Sequence, residues 1–165
     1  MSKNNKKKVV KWRRRKNQVT AKLILAPNIL LNTVCEPVKD NEDVSSIIRD
    51  MMYILFNSKT GVGLAAPQVG CLKRIILIKA YVEYGYIVMI NPKWRKLRSG
   101  VITMDESCLS YPGASKKIDR FGSITVDYTS ENGISVIGKR FDNFEARIVQ
   151  HEIDHLEGKC KVGEI

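Results

Sequence analysis

Gln150-His151-Glu152-Ile153-Asp154-His155-Leu156-Glu157-Gly158 is the stretch that decides how the rest of the chain is read. Gly158 is a helix stop, and the pattern before it predicts a helix from about Asp142, a suitable N-cap, to Glu157. Phe144, Ile148, His151 and His155 form one stripe on that helix, because residues three and four apart share a face. Two imidazoles at i and i+4 can therefore converge on one metal ion, and Glu152, one position along, can reach a water beside it. The chain has only two histidines, and both are here.

Upstream of this helix lie several strand-like segments and one further helix. Val44, Ile47, Ile48, Met51 and Leu55 give an apolar stripe at helical period over 42–58. Asn41, Asp43 or Asp40 is available as its cap, and Gly61 closes the region. Runs rich in Ile and Val at Arg74–Lys79 and Tyr86–Ile90 read as strands. So do Ser123–Thr129, with Ile124, Val126 and Tyr128 alternating with polar residues, and Ile134–Ile137. Glu131-Asn132-Gly133 is a hairpin turn signal between the last two. The expected fold is α+β, with mainly antiparallel strands around a C-terminal helix that carries HExxH.

A catalytic zinc-type site needs three protein ligands and one open position. In the metzincin pattern HExxHxxGxxH the third histidine would fall on Lys161, so that pattern fails. Glu164 is the only late carboxylate candidate, and Cys160, beyond Gly158, is expected to leave the helical face. The third ligand then comes from upstream, as a Cys or a carboxylate. Within Asp105-Glu106-Ser107-Cys108-Leu109-Ser110, Cys108 sits among small and polar residues and is favoured, with Cys35 and Cys71 still open. The four cysteines lack CxxC pairing, which argues against a zinc ribbon or a disulfide scaffold. Gly61-Val62-Gly63-Leu64-Ala65-Ala66-Pro67-Gln68-Val69-Gly70 follows a predicted helix rather than a strand, and Pro67 bars a helix from starting there. That context excludes a dinucleotide fingerprint, and the lack of Gly-Lys-Ser/Thr excludes a P-loop. It reads as backbone that approaches a ligand closely, with Gln68 as donor or acceptor.

The 165 residues hold 28 Lys+Arg against 17 Asp+Glu, a net charge of +11. Residues 1–22 carry ten of the basic residues and no acid, whereas Leu23 to Ile165 balance 18 basic against 17 acidic residues. Residues 1–22 are thus expected to be a self-repelling, disordered arm suited to a phosphate-rich surface, and 23–165 a single catalytic domain. No run approaches the roughly 18 uninterrupted apolar residues of a membrane span. Leu23–Leu31 resembles a signal-peptide core, but Pro27 and Asn28 split it and no small-x-small cleavage site follows. Cytoplasm is the default location, with an organelle as the alternative if the arm is a transit peptide.

Three segments together resemble the peptide deformylase family, whose ordered signatures are GxGxAAxQ, EGCxS and QHExDHLxG. They stand here as Gly61–Gln68, Glu106–Ser110 and Gln150–Gly158, with the first and third matched in full. The resemblance implies a metal-dependent hydrolase that removes the N-formyl group from the formylmethionine of nascent polypeptides. It implies Cys108, His151 and His155 as metal ligands and Glu152 as general acid/base toward an activated water. Gln68 and the backbone N–H of Leu109 would hold the formyl oxygen. Val62 and Gly63 would pair with the substrate strand-fashion, Ile148 would line the methionine pocket, and Ser107 would border the substrate. Glu106 and Arg120 occupy positions that pair in the family. The family is known for Fe²⁺, with Zn²⁺ or Ni²⁺ as substitutes, and a monomer is expected. Ser107 departs from the usual glycine, which would strain the chain if φ there were positive. The chain also stops seven residues after Gly158, where many bacterial members continue into a C-terminal helix; it is reminiscent of phage-encoded short forms. The expected partners are formylmethionyl nascent chains and, through the basic arm, ribosomal RNA.

Overall fold

The computed structural model describes residues 21–80, 85–98 and 100–163. Of the basic stretch 1–22 only Ala21 and Lys22 fall within it, and Trp12 and Glu164 lie outside the described residues.

Helix α1 spans Ser45–Asn57. Seven strands follow: β1 (Gly63–Ala65), β2 (Ile75–Ala80), β3 (Gly85–Lys96), β4 (Val101–Cys108), β5 (Tyr111–Phe121), β6 (Ser123–Thr129) and β7 (Ser135–Asp142). Helix α2 is Asn143–Leu156. Five strands form an antiparallel sheet in the order β1-β2-β3-β6-β7, and β4 pairs with β5 in a separate two-stranded sheet. The α+β class and the antiparallel arrangement are as expected.

The burial of β2 explains how the helices are placed. Its Ile-Ile-Leu-Ile run is buried on both faces, and side chains alternate along a strand. Ile76 and Ile78 pack with Met89, Ile124, Val126 and Phe141 against Val149, Ile153 and Leu156 of α2. Ile75 and Leu77 turn the other way and pack with Leu64 and Val88 against Ile48, Met51 and Leu55 of α1. The large sheet is thus covered by one helix on each face, and β1 is one of its edge strands.

Several local details differ from the sequence expectations. The N-cap position of α1 is Val44, without a side-chain cap; Asp43 instead accepts from the Ser45 N–H at 2.9 Å. Asp142 does occupy the N-cap position of α2, but its carboxylate accepts from Arg140 Nε at 2.9 Å rather than from the helix N–H groups. The Gly61–Gly70 stretch holds a strand, β1, and then a single 3-10 turn, Ala66–Val69, that accommodates Pro67. Strand β3 runs six residues beyond the expected Ile90, through a bulge at Asn91 (φ 53°). The Asn91 amide there makes paired hydrogen bonds of 2.9 Å to the Val38 backbone. Strands β4 and β5 had no counterpart among the expected strands. They stand on a third apolar cluster, Cys108, Ile118, Cys160 and Val162, flanked by Tyr111 and Ala114.

Candidate active site

Helix α2 carries His151 and His155 on one face, with ring centroids 5.1 Å apart. Gln150 fixes the helix against the sheet by exchanging hydrogen bonds with the Phe121 backbone at 3.1 and 2.9 Å. His151 Nδ1 lies 2.9 Å from Glu106 Oε2. Burial would raise the pKa of Glu106, but hydrogen bonds from His151 and Arg120 override it and hold the carboxyl down at about 2. An ionised carboxylate only accepts, so His151 donates from Nδ1 and keeps the Nε2 lone pair free for a metal.

Glu106 is the centre of a buried polar network. Arg120 donates to both of its oxygens, from Nε at 3.0 Å and from Nη2 at 2.9 Å, so the pair expected from the sequence forms. Arg120 also binds Asp154, the fourth residue of HExxH. Arg147, which the sequence reading missed, donates to Glu106 Oε1 at 2.6 Å and to the carbonyls of Ile118 and Ile102. Its signal was available: Arg147 stands one turn before His151 on the same helix, so both can reach one carboxylate.

Cys108 ends β4 and is buried, its Sγ 3.3 Å from His155 Nε2. The donor atoms of Cys108, His151, His155 and Cys160 all lie within 4.8 Å of one another. Cys160, expected to leave the helical face, does lie beyond the helix, but its thiol joins the cluster. Gly158 adopts φ 66°, where a Cβ would stand 2.8 Å from the Asn32 carbonyl oxygen. The chain reverses there, with Lys159 N–H donating to Asp154 O at 3.0 Å, and the thiol returns beneath the helix. A hydrogen bond between the Cys108 and Cys160 thiols pulls the pKa of Cys160 down, helped by His155, and pushes that of Cys108 up. Cys35 lies in the core beside α2 and Cys71 beside α1, so neither joins the cluster.

Glu152 is buried, and burial pushes its pKa up to about 8. Its Oε2 and the Nδ1 of His155 are buried without a hydrogen-bond partner. The orphaned Glu152 Oε2 beside two thiols and two imidazoles fits a bound divalent cation, toward which His155 turns Nε2 rather than Nδ1. Gly63 makes room for Glu152: a Cβ there would run into Oε1 and stand 2.7 Å from Ile148 Cγ2.

In front of this cluster opens a cleft of about 420 Å³, lined in part by Val62, Gly63, Gln68, Ser107, Leu109 and Ile148. All the expected substrate-facing residues therefore meet in one place. Gln68 is oriented at both ends of its amide, Oε1 accepting from Ala65 N–H at 2.8 Å and Nε2 donating to Ser110 Oγ at 3.0 Å. Nε2 also lies 3.7 Å from Cys108 Sγ. Ser107 is an exposed β4 residue opposite Ser115, outside the left-handed region, so no backbone strain attends the missing glycine.

The polypeptide deformylase family model matches residues 20–165. The chain belongs to this family. Peptide deformylase 1 of Clostridium perfringens is 39% identical over 130 residues, covering 78% of this chain and 86% of that protein. Among solved structures, a class I type b peptide deformylase from Acinetobacter baumannii superimposes with TM-score 0.79 at 31% identity, over 89% of this chain and 100% of its own. The PDF of the Vibrio parahaemolyticus bacteriophage VP16T, solved with actinonin, gives TM-score 0.77 at 31% identity, over 84% of this chain and 98% of its own. As a deformylase, the chain is a hydrolase that removes the formyl group from N-formylmethionine peptides, and the family is metal-dependent. Among the described residues no helix is long and apolar enough to cross a membrane.

Proposed function

We propose that deformylation here uses Cys108, His151 and His155 as metal ligands, with Glu152 as the proton carrier. The observation that carries this reading is the buried, unpartnered Glu152 Oε2 beside the cluster of soft and nitrogen donors. A divalent metal bound there supplies Lewis acidity and a water of lowered pKa. Glu152 takes the proton of the attacking water and returns it to the amine nitrogen as the C–N bond breaks, leaving formate and a free N-terminus. Burial keeps its carboxyl basic enough for that shuttle. Gln68, fixed by Ala65 and Ser110, and the Leu109 N–H receive the charge that develops on the formyl oxygen. Gly63, which opens the edge strand β1, and Val62 just before it pair with the peptide backbone. Ile148 packs on the methionine side chain, and Ser107 borders the cleft.

Fe²⁺ is the proposed resident ion, with Zn²⁺ or Ni²⁺ able to replace it. Replacing Glu152 by Gln is expected to abolish formate release from a formyl-Met peptide while one metal per chain is retained. Undiminished turnover in that variant would overturn the assignment.

Residues 23–165 are proposed as the catalytic domain, acting as a monomer in the cytoplasm of a bacterium or of a phage-infected host. The arm, residues 1–22, is proposed to contact ribosomal RNA, because its ten cations stand apart from a nearly neutral remainder. Deleting residues 2–21 should abolish salt-sensitive co-sedimentation with ribosomes and leave cleavage of short formyl-peptides intact.

A further inference from the structure

We propose that Cys160 is a fourth protein ligand of the metal, so that two thiolates and two imidazoles hold the ion. The inference rests on the reading of Cys108, His151 and His155 as ligands and adds a residue that neither the HExxH nor the Cys108 motif contains.

Distance is the first argument. A tetrahedral ion with bonds of about 2.3 Å to sulfur and 2.0–2.1 Å to nitrogen holds its donors roughly 3.3–3.8 Å apart. All four donor atoms lie within 4.8 Å of one another, and Cys108 Sγ and His155 Nε2 are already 3.3 Å apart. Closing such a cluster onto one ion takes side-chain adjustment, not backbone rearrangement.

The second argument is how firmly the thiol is seated. Cys160 is 5% exposed, in a turn whose Gly163 N–H donates to its carbonyl at 2.8 Å. Buried Val162 anchors the same turn in the cluster that contains Ile118 and Tyr111. The backbone reversal at Gly158, where a Cβ would meet Asn32, aims this turn back at α2. The sulfur is therefore presented to the other donors by structure around it, rather than by a free tail.

Direction is the third. Cys108 and His151 line the cleft, but His155 and Cys160 do not. Cys160 thus approaches from the buried side and leaves the cleft-facing side of the ion to water and the formyl oxygen. Four protein ligands would fill a tetrahedral shell, so turnover would require the ion to expand to five-coordinate on its cleft side, as catalytic zinc sites sometimes do. The added thiolate also ties the tail to β4 and α2, so the metal becomes a crosslink among three parts of the fold.

The test counts sulfurs. Cobalt(II) bound to the full, reduced chain is expected to show about twice the thiolate-to-metal charge-transfer absorbance per ion that it shows in Cys160→Val, because two soft thiolates become one. Val keeps the site apolar and filled. Cobalt affinity should fall in that variant by at least about tenfold, the loss that even outer-shell partners command. X-ray absorption on the zinc-loaded, unsubstituted chain should find two sulfurs in the first shell, a measurement that needs no variant to fold. One sulfur there, or equal cobalt spectra, would overturn the inference and leave the three-ligand reading standing. Cys108→Ala separates the two: a spectrum unchanged by that substitution would remove the three-ligand reading and this inference together.

Discussion

Glu106 Oε2 and His151 Nδ1 lie 2.9 Å apart, so the carboxylate before Cys108 orients an imidazole of the proposed metal site. Glu106 is two residues from one proposed ligand and hydrogen-bonded to another, and it couples β4 to α2 at the place where both must hold still.

That coupling predicts the effect of Glu106→Gln. The neutral amide can still touch Nδ1 but no longer makes the imidazole more basic or fixes its tautomer as firmly. Metal affinity, measured by chelator competition, should fall about 10- to 100-fold, the range typical of such outer-shell partners. An affinity equal to wild type would show that His151 is oriented by packing alone.

Arg120→Ala should act on stability first. Arg120 is 4% exposed and binds both Glu106 and Asp154, so its removal leaves Glu106 with Arg147 as its remaining arginine and takes away the Asp154 pair. The expected cost is about 2–3 kcal/mol, below that of a fully unpaired buried charge, read as a lowered urea midpoint. Arg120→Lys should recover only part of it, because one ammonium cannot reproduce the forked pair of hydrogen bonds.

The same residues explain what could be read from the sequence and what could not. Helix α2 and the convergence of His151 and His155 were legible because helical period is local and the chain has no other histidine. Strand β6 was legible from its Ile124, Val126, Tyr128 alternation. Strands β4 and β5 gave no such pattern, since Val101–Asp105 are exposed and β5 includes Pro112, Gly113 and two lysines. They are held by tertiary hydrogen bonds, Arg147 reaching the carbonyls of Ile102 and Ile118, which no local propensity reports. Cys160 was misplaced for a related reason. A position two residues past a left-handed Gly158 depends on where the reversed chain lands, and that is fixed by Asn32, Tyr111 and Ile118, all distant in sequence.

Cys35 offers a pH-dependent test away from the cleft. Burial raises its thiol pKa from 9.0 to about 11, partly offset by Arg74. The unfolded chain loses this proton near pH 9 while the folded chain keeps it, so the contribution is whole below pH 9 and disappears as pH rises to 11. The loss is on the order of 2–3 kcal/mol. Cys35→Ala should cost about 1 kcal/mol of packing at pH 8 but lack this dependence. Urea midpoints of the two proteins should therefore converge and then cross between pH 9 and 11. A constant difference across that interval would mean that the thiol does not titrate in this way.

Gly63→Ala tests whether Glu152 needs its present position. A Cβ at 63 would run into Glu152 Oε1 and stand 2.9 Å from Glu152 Cγ and 2.7 Å from Ile148 Cγ2. Gly63 is paired with Ile78 in β1, so the strand is held and the side chains must yield. Overpacking of this kind costs typically 1–3 kcal/mol, and the urea midpoint should fall accordingly. The larger effect should be on kcat/KM for formate release, with a drop of about 100-fold, because a carboxylate displaced by about 1 Å is no longer aligned with the proton it must carry. Adding Ile148→Leu removes the Cγ2 branch and relieves one collision but not the one with Glu152. The double variant should therefore regain stability and stay slow. If it regains rate as well, the damage comes through the Ile148 side of the cleft and Glu152 has room to move.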